Sequence, residues 1–179
     1  MLHPISARTK TMSSNLYEFA VPVFDRYLGT LDGVLAKGAA HAAEHKVDET
    51  VLTGWRLFPD MFPLTRQVQI AADFAKGASA RLAGVDIPAF EDTEKTFAEL
   101  QARVAKTRDF LKSLPRDAFE GSAERVIKLT AGGTERQFVG TVYLTQYALP
   151  NFFFHCTTAY NLLRHVGTPL GKRDFVGGF

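Results

Sequence analysis

Residues 141–165, TVYLTQYALPNFFFHCTTAYNLLRH, decide the fold, because their spacing specifies one long helix with polar residues on its inner face. Leu144, Asn151, His155, Thr158 and Leu162 recur at steps of seven, four, three and four, which places them on a single helical stripe. The two leucines mark that stripe as inward-facing. An unpartnered polar group there costs about 1–3 kcal/mol, so Asn151, His155 and Thr158 need partners. Thr141 is placed to cap the helix, Gly167 to stop it and Pro169 to prevent its continuation. Pro150 removes an amide donor and frees the carbonyl of Gln146. Phe152, Phe153 and Phe154 cover more than half the circumference, which predicts burial on several sides or a subunit interface.

Three further helices precede this one. Phe24, Leu28, Leu31, Leu35, Ala39 and Ala42 form a stripe within a helix from Asn15 to His45, which either begins near Pro22 or kinks there. Val47 to Pro63 has no sustained period and reads as a packed connecting loop containing Trp55, Phe58 and Phe62. From Leu64, the residues Val68, Ala71, Ala72, Ala75, Ala78 and Leu82 give a narrow stripe of small side chains, closed by Gly84. Such a face lets a neighbouring helix approach closely. Asp92 or Thr93 can cap a third helix, whose seam runs Phe97, Leu100, Val104, Thr107, Leu111, Leu114 until Pro115 ends it. Arg125–Leu129 and Glu135–Val139, separated by a loop containing Gly132-Gly133, signal a β-hairpin. The expected fold class is all-α: a four-helix bundle with a short hairpin before the last helix.

Composition bounds the function. The 179 residues are 46% hydrophobic and 22% charged, enough for one globular core, and no linker or repeat divides them. Residues 1–12 read as a flexible N-terminal extension, with Met12-Ser-Ser-Asn15 resembling a natural start, and 13–179 as a single domain. Basic and acidic residues number 21 and 19, a formal charge of +2 with no dense basic block, which gives no electrostatic support for nucleic-acid or anionic-membrane binding. No apolar run approaches the ~20 residues that span a bilayer, and no secretory signal is present. Cys156 is the lone cysteine, which excludes an intrachain disulfide and fits a reducing cytoplasm. Phosphate-loop and nucleophile-elbow motifs are absent.

Several stretches resemble the DinB/YfiT-like superfamily, and more closely an uncharacterised branch of it, a domain of unknown function. They are Leu16-Tyr-Glu-Phe-Ala-Val-Pro-Val-Phe24, Pro59-Asp-Met-Phe-Pro-Leu-Thr-Arg-Gln-Val-Gln69, Ala80-Arg-Leu-Ala-Gly84, Asn151-Phe-Phe-Phe-His155 through Pro169, and Leu170-Gly-Lys-Arg-Asp-Phe175. The resemblance implies a bundle in up-down-down-up order with a long crossover, often a homodimer. In many members it implies a divalent metal held by three histidines, one on the second helix and an H-x-x-x-H pair on the last. Some relatives are metal-dependent thiol transferases or isomerases. Here the matching positions are Gln69, Asn151 and His155, so one histidine of three survives. Amide oxygens bind first-row transition metals far less well than imidazole, which disfavours Ni, Zn or Fe as a cofactor.

Two readings of the polar stripe stay open. Gln69, Asn151 and His155 could form a self-satisfied network that fixes helix register, aided by Arg66 and Asp73 one turn either side of Gln69. Alternatively they line a pocket for a small organic ligand, in which His155 acts as ligand or general base and Thr158 extends the polar face. A metal-dependent enzyme of the thiol-transferase or isomerase type is the further alternative. His41, His45 and His165 lie in C-terminal helix turns, where they complement the helix dipole. Cys156 faces away from His155 and reads as a buried inert thiol. The tail from Gly171 to Gly178 is expected to fold over the bundle with Phe175 as anchor.

Overall fold

Tyr17–His45 forms α1 in the computed structural model, which describes residues 15–178; the extension expected over residues 1–12 lies outside the described residues. The helix starts ahead of Pro22 and runs through it. Pro22 is solvent-exposed in an early turn, so water can satisfy the carbonyl that loses its amide partner. Phe24, Leu28, Leu31, Leu35 and Ala42 are buried along the expected stripe. Lys46, left-handed at φ 53, closes the helix by donating to carbonyls of the last turn.

The next stretch corrects one expectation. Glu49–Thr53 forms a short helix, α2, capped by the Asp48 side chain, and beyond it Trp55, Phe58 and Phe62 are exposed rather than packed. Turns around Pro59 leave that segment without a continuous face to bury. Leu64–Ala83 is α3, which begins directly after Pro63 and ends at left-handed Gly84. It packs against α1, α4 (Phe97–Ser113) and α6 (Leu149–His165), and is buried around most of its circumference. Its run of alanines makes this central position sterically feasible.

Thr96, not Asp92 or Thr93, caps α4: its hydroxyl accepts from the Glu99 amide while the Glu99 carboxylate accepts from the Thr96 amide. Asp92 is instead drawn into ion pairs with arginines. The expected seam is buried from Phe97 to Leu114. After a single 3₁₀ turn, β1 (Val126–Ala131) and β2 (Thr134–Val139) pair antiparallel from Val126↔Val139 to Ala131↔Thr134. Gly132 and Gly133 lie at φ 58 and 76, the backbone of a two-residue primed turn.

The last helical rod opens at Gly140 rather than on a Thr141 cap. Gly140–Val142 (α5) passes into a π-helical segment, Tyr143–Ala148, and then into α6. The Thr141 hydroxyl donates to the Ala123 carbonyl, and a Cβ on Gly140 would stand 1.8 Å from the Ser122 carbonyl oxygen. Only glycine fits that approach. Pro150, which has no amide proton, lies just after the widened turn. Phe152 is buried, meeting Phe24 edge to face at 4.9 Å, while Phe154 is exposed. The tail folds back as expected: α7 (Lys172–Val176) lies on α1, with Phe175 against Tyr27 and Tyr160 and Lys37 paired to Asp174 at 2.7 Å. Apart from Ala72 and Ala80, the buried apolar side chains of the described residues form one cluster. No described helix is long and apolar enough to cross a membrane.

Candidate functional site

His155 projects from α6 toward α3, and its partner there is Gln67. Nδ1 lies 2.7 Å from Gln67 Oε1, while Gln67 Nε2 donates to the Phe62 carbonyl at 3.1 Å. That carbonyl can only accept, so the amide orientation is fixed and Gln67 turns its oxygen to the imidazole. The proton therefore sits on Nδ1 and Nε2 keeps its lone pair. Burial, seconded by the positive charge of Arg66, pushes the imidazole pKa down to about 4. His155 is neutral at physiological pH.

The other residues of the expected cluster turn elsewhere. Asn151 Nδ2 donates to the Tyr147 carbonyl at 2.7 Å and the Thr158 hydroxyl to the Phe154 carbonyl at 2.7 Å, both on their own rod. Gln69 accepts from Arg66 at 3.2 Å and donates to Glu94 at 2.8 Å. The bonds expected among Gln69, Asn151 and His155 are thus replaced by bonds to other groups. Gln67 and Gln69 are both buried because α3 is enclosed on several sides, so stripe logic could not choose between them.

Gln69 leads instead into a charged cluster between α3, α4 and the segment joining them. Arg103, whose side chain is 1% exposed, meets Asp73 at 3.0 Å, Asp92 at 2.9 Å and Glu94 at 3.0 Å. Arg66 also pairs with Asp92, and Lys76 with Asp73 at 3.0 Å. Burial alone would raise the Glu94 pKa, but the hydrogen bonds from Gln69 and Arg103 outweigh it and hold the carboxyl below its ordinary range. Phe90 from the joining segment lies under Lys76 and Lys106, each 4.1 Å from the ring centre. Three carboxylates around one buried guanidinium satisfy the charge that burial would otherwise penalise.

A divalent metal does not fit these residues. The Gln69 oxygen is engaged by a guanidinium, Asn151 is committed to a backbone carbonyl, and the charge felt by His155 is that of the cationic Arg66. Among the described residues no three His, Cys, Asp or Glu side chains converge as a ligand set. The three acidic side chains that do gather are occupied by Arg103.

What the fold does build is a cavity of about 240 Å³ between α3, the hairpin and the π-helical turn. Arg66 and Asp73 line it, as do Phe74, Arg81, Tyr143 and Tyr147; Gln69, Asn151, His155 and Thr158 do not. Tyr147 packs against Phe138 at 5.3 Å and Tyr143 at 5.8 Å, which themselves lie 6.0 Å apart, and Phe74 separates this aromatic cluster from His155, whose ring lies nearly parallel to it at 6.1 Å. Arg81 Nη1 donates to the Tyr143 hydroxyl at 3.2 Å. Since a guanidinium only donates, the phenol proton is left to point elsewhere. Burial raises the Tyr143 pKa against the opposing pull of Arg81, so the proton stays on.

Arg81 holds this position because α3 has a glycine one turn before it. A Cβ on Gly77 would stand 2.7 Å from Arg81 Nη1. Glycine inside a helix costs about 1 kcal/mol relative to alanine, and here the space it leaves is filled by the guanidinium. Sequence reasoning missed Gln67, Gly77, Arg81, Arg103, Tyr143 and Tyr147. A mid-helix glycine four residues before an arginine was the one legible signal among them.

Comparison with known proteins agrees with this architecture. Residues 16–176 match the family described as "Domain of unknown function (DUF1993)". The crystal structure of a DinB family member protein from Shewanella denitrificans is similar at 38% identity and a TM-score of 0.84, over 92% of this chain and 93% of that one. No curated protein matches. The chain belongs to the DUF1993 family, an uncharacterised branch of the DinB-like superfamily.

Proposed function

We propose that this protein binds a small organic molecule in the cavity between α3, the hairpin and the π-helical turn. The observation that carries the reading is the cavity's construction: about 240 Å³ walled by Phe74, Tyr143 and Tyr147, with the guanidiniums of Arg66 and Arg81 at its edge. Aromatic rings set beside directed polar groups give a ligand both contact surface and orientation, and this volume suits a single-ring molecule rather than a drug-sized one. Of the residues expected from sequence, Arg66 and Asp73 would contact the ligand. Gln69 and His155 would hold α3 against its neighbours, with Asn151 and Thr158 bonded within their own rod.

Saturation-transfer NMR with a library of single-ring molecules tests this directly. Wild-type protein should give binders that are lost in Ile70→Trp, which fills the cavity from α3. No binders, or binders indifferent to the tryptophan, would contradict the reading. A homodimer in the reducing cytoplasm completes the proposal, supported by the exposed Phe154 beside His155 and by a single buried thiol at Cys156. Light scattering should return twice the chain mass, and a monomer at micromolar concentration would refute the dimer.

A further inference from the structure

Of the two cationic side chains that line the cavity, Arg66 and Arg81, one is already matched to a carboxylate. Arg66 pairs with Asp92, Lys76 with Asp73, and Arg103 with Asp73, Asp92 and Glu94. Arg81, by contrast, has the neutral Tyr143 hydroxyl as its one partner among the described residues. It is held there by the absent side chain of Gly77, over which its guanidinium lies. Arg81 also lines a second cavity of about 300 Å³, bounded by Asp73, Lys76, Ile87, Pro88 and Phe90, so it stands where two recesses meet.

We propose that the ligand is a planar aromatic monocarboxylate whose carboxylate pairs with Arg81 and takes the free proton of the Tyr143 hydroxyl, while its ring lies against Phe74 and Tyr147. This rests on the cavity being a ligand site, and adds its chemical class. The geometry is specific in three ways. A guanidinium presents parallel N–H donors that match the two oxygens of a carboxylate. Tyr143 accepts from Arg81 and so has only its own proton to give, which suits an acceptor and not a donor. Asp73 on the same wall repels a second negative charge, so a monoanion fits better than a phosphate dianion.

Benzoate and its neutral isostere benzamide, titrated into the full chain and followed by the amide and side-chain NMR signals of Tyr143 and Tyr147, test the inference. Benzoate should bind at least tenfold more tightly than benzamide. Arg81→Gln should bring the ratio close to one. Gly77→Ala should do the same while keeping the fold, because the added methyl meets the far end of a flexible side chain and not backbone; circular dichroism and urea midpoints check folding of both. Equal binding of the two probes to wild type would overturn the carboxylate assignment and leave the cavity as a ligand site. Failure of both probes to move the Tyr143 and Tyr147 signals would overturn the assignment together with the reading it rests on. A benzoate preference that survives Arg81→Gln would show that a different group holds the anion, and would also overturn it.

Discussion

Lowering the pH from 7 to 5 should destabilise this protein through His155, and the amount follows from the site. The imidazole has an ordinary value of 6.5 and is held at about 4 in the folded chain by burial and by Arg66. A depressed folded pKa means that the unfolded chain takes up the proton first, so stability is intact above about pH 6.5, falls as pH drops and levels off below about pH 4. Integrating the proton uptake between these two values gives a loss of about 2 kcal/mol from pH 7 to pH 5. Urea unfolding of wild type and His155→Gln at both pH values isolates the term, since other titrating groups are common to both chains. The wild type should lose about 2 kcal/mol more than the variant. Parallel losses would refute the reasoning, because they would mean that His155 accepts the proton as readily in the folded chain as in the unfolded one.

Three further outcomes follow from named contacts. Arg103→Met should cost about 3 kcal/mol or more in urea unfolding at pH 7, because it leaves Asp73, Asp92 and Glu94 facing one another without their shared cation; the deficit should narrow at acid pH as the carboxyls protonate. Gly140→Ala should lose about 3 kcal/mol or fail to fold, since the new methyl would meet the Ser122 carbonyl and the backbone there has nowhere to go. Elemental analysis of purified protein should find no stoichiometric Ni, Zn or Fe, and EDTA should leave the thermal midpoint unchanged; a bound metal lost on His155→Ala would contradict the donor-set argument.

The helices and the hairpin were legible because their signals are local. The α4 seam from Phe97 to Leu114 and the Gly132-Gly133 turn each follow from a few neighbouring residues whose geometry the backbone then adopts. Cap positions were less so. Asp92 looked like a cap, but Thr96 with Glu99 forms the stronger reciprocal pair and leaves Asp92 free for two arginines. The site was the least legible. Sequence spacing identified Asn151, His155 and Thr158 as polar intrusions on an inner face, and each does find a partner. Which partner depends on how α3 is rotated between its neighbours, and nothing local distinguishes Gln67 from Gln69 on a helix enclosed on several sides. The cavity depends on longer-range placement still, since Leu129 and Thr130 reach it from the hairpin and Tyr143 from the π-helical turn.

The location of the ligand site is the central claim, and a benzoate titration of ¹⁵N-labelled protein followed across all backbone amides tests it most directly. Shifts should concentrate on Gly77 and Arg81 in α3, on Thr130 in the hairpin and on Tyr143 and Tyr147 in the π-helical turn. Shifts centred on Gln69, Asn151 and His155, or none at saturating benzoate, would contradict it.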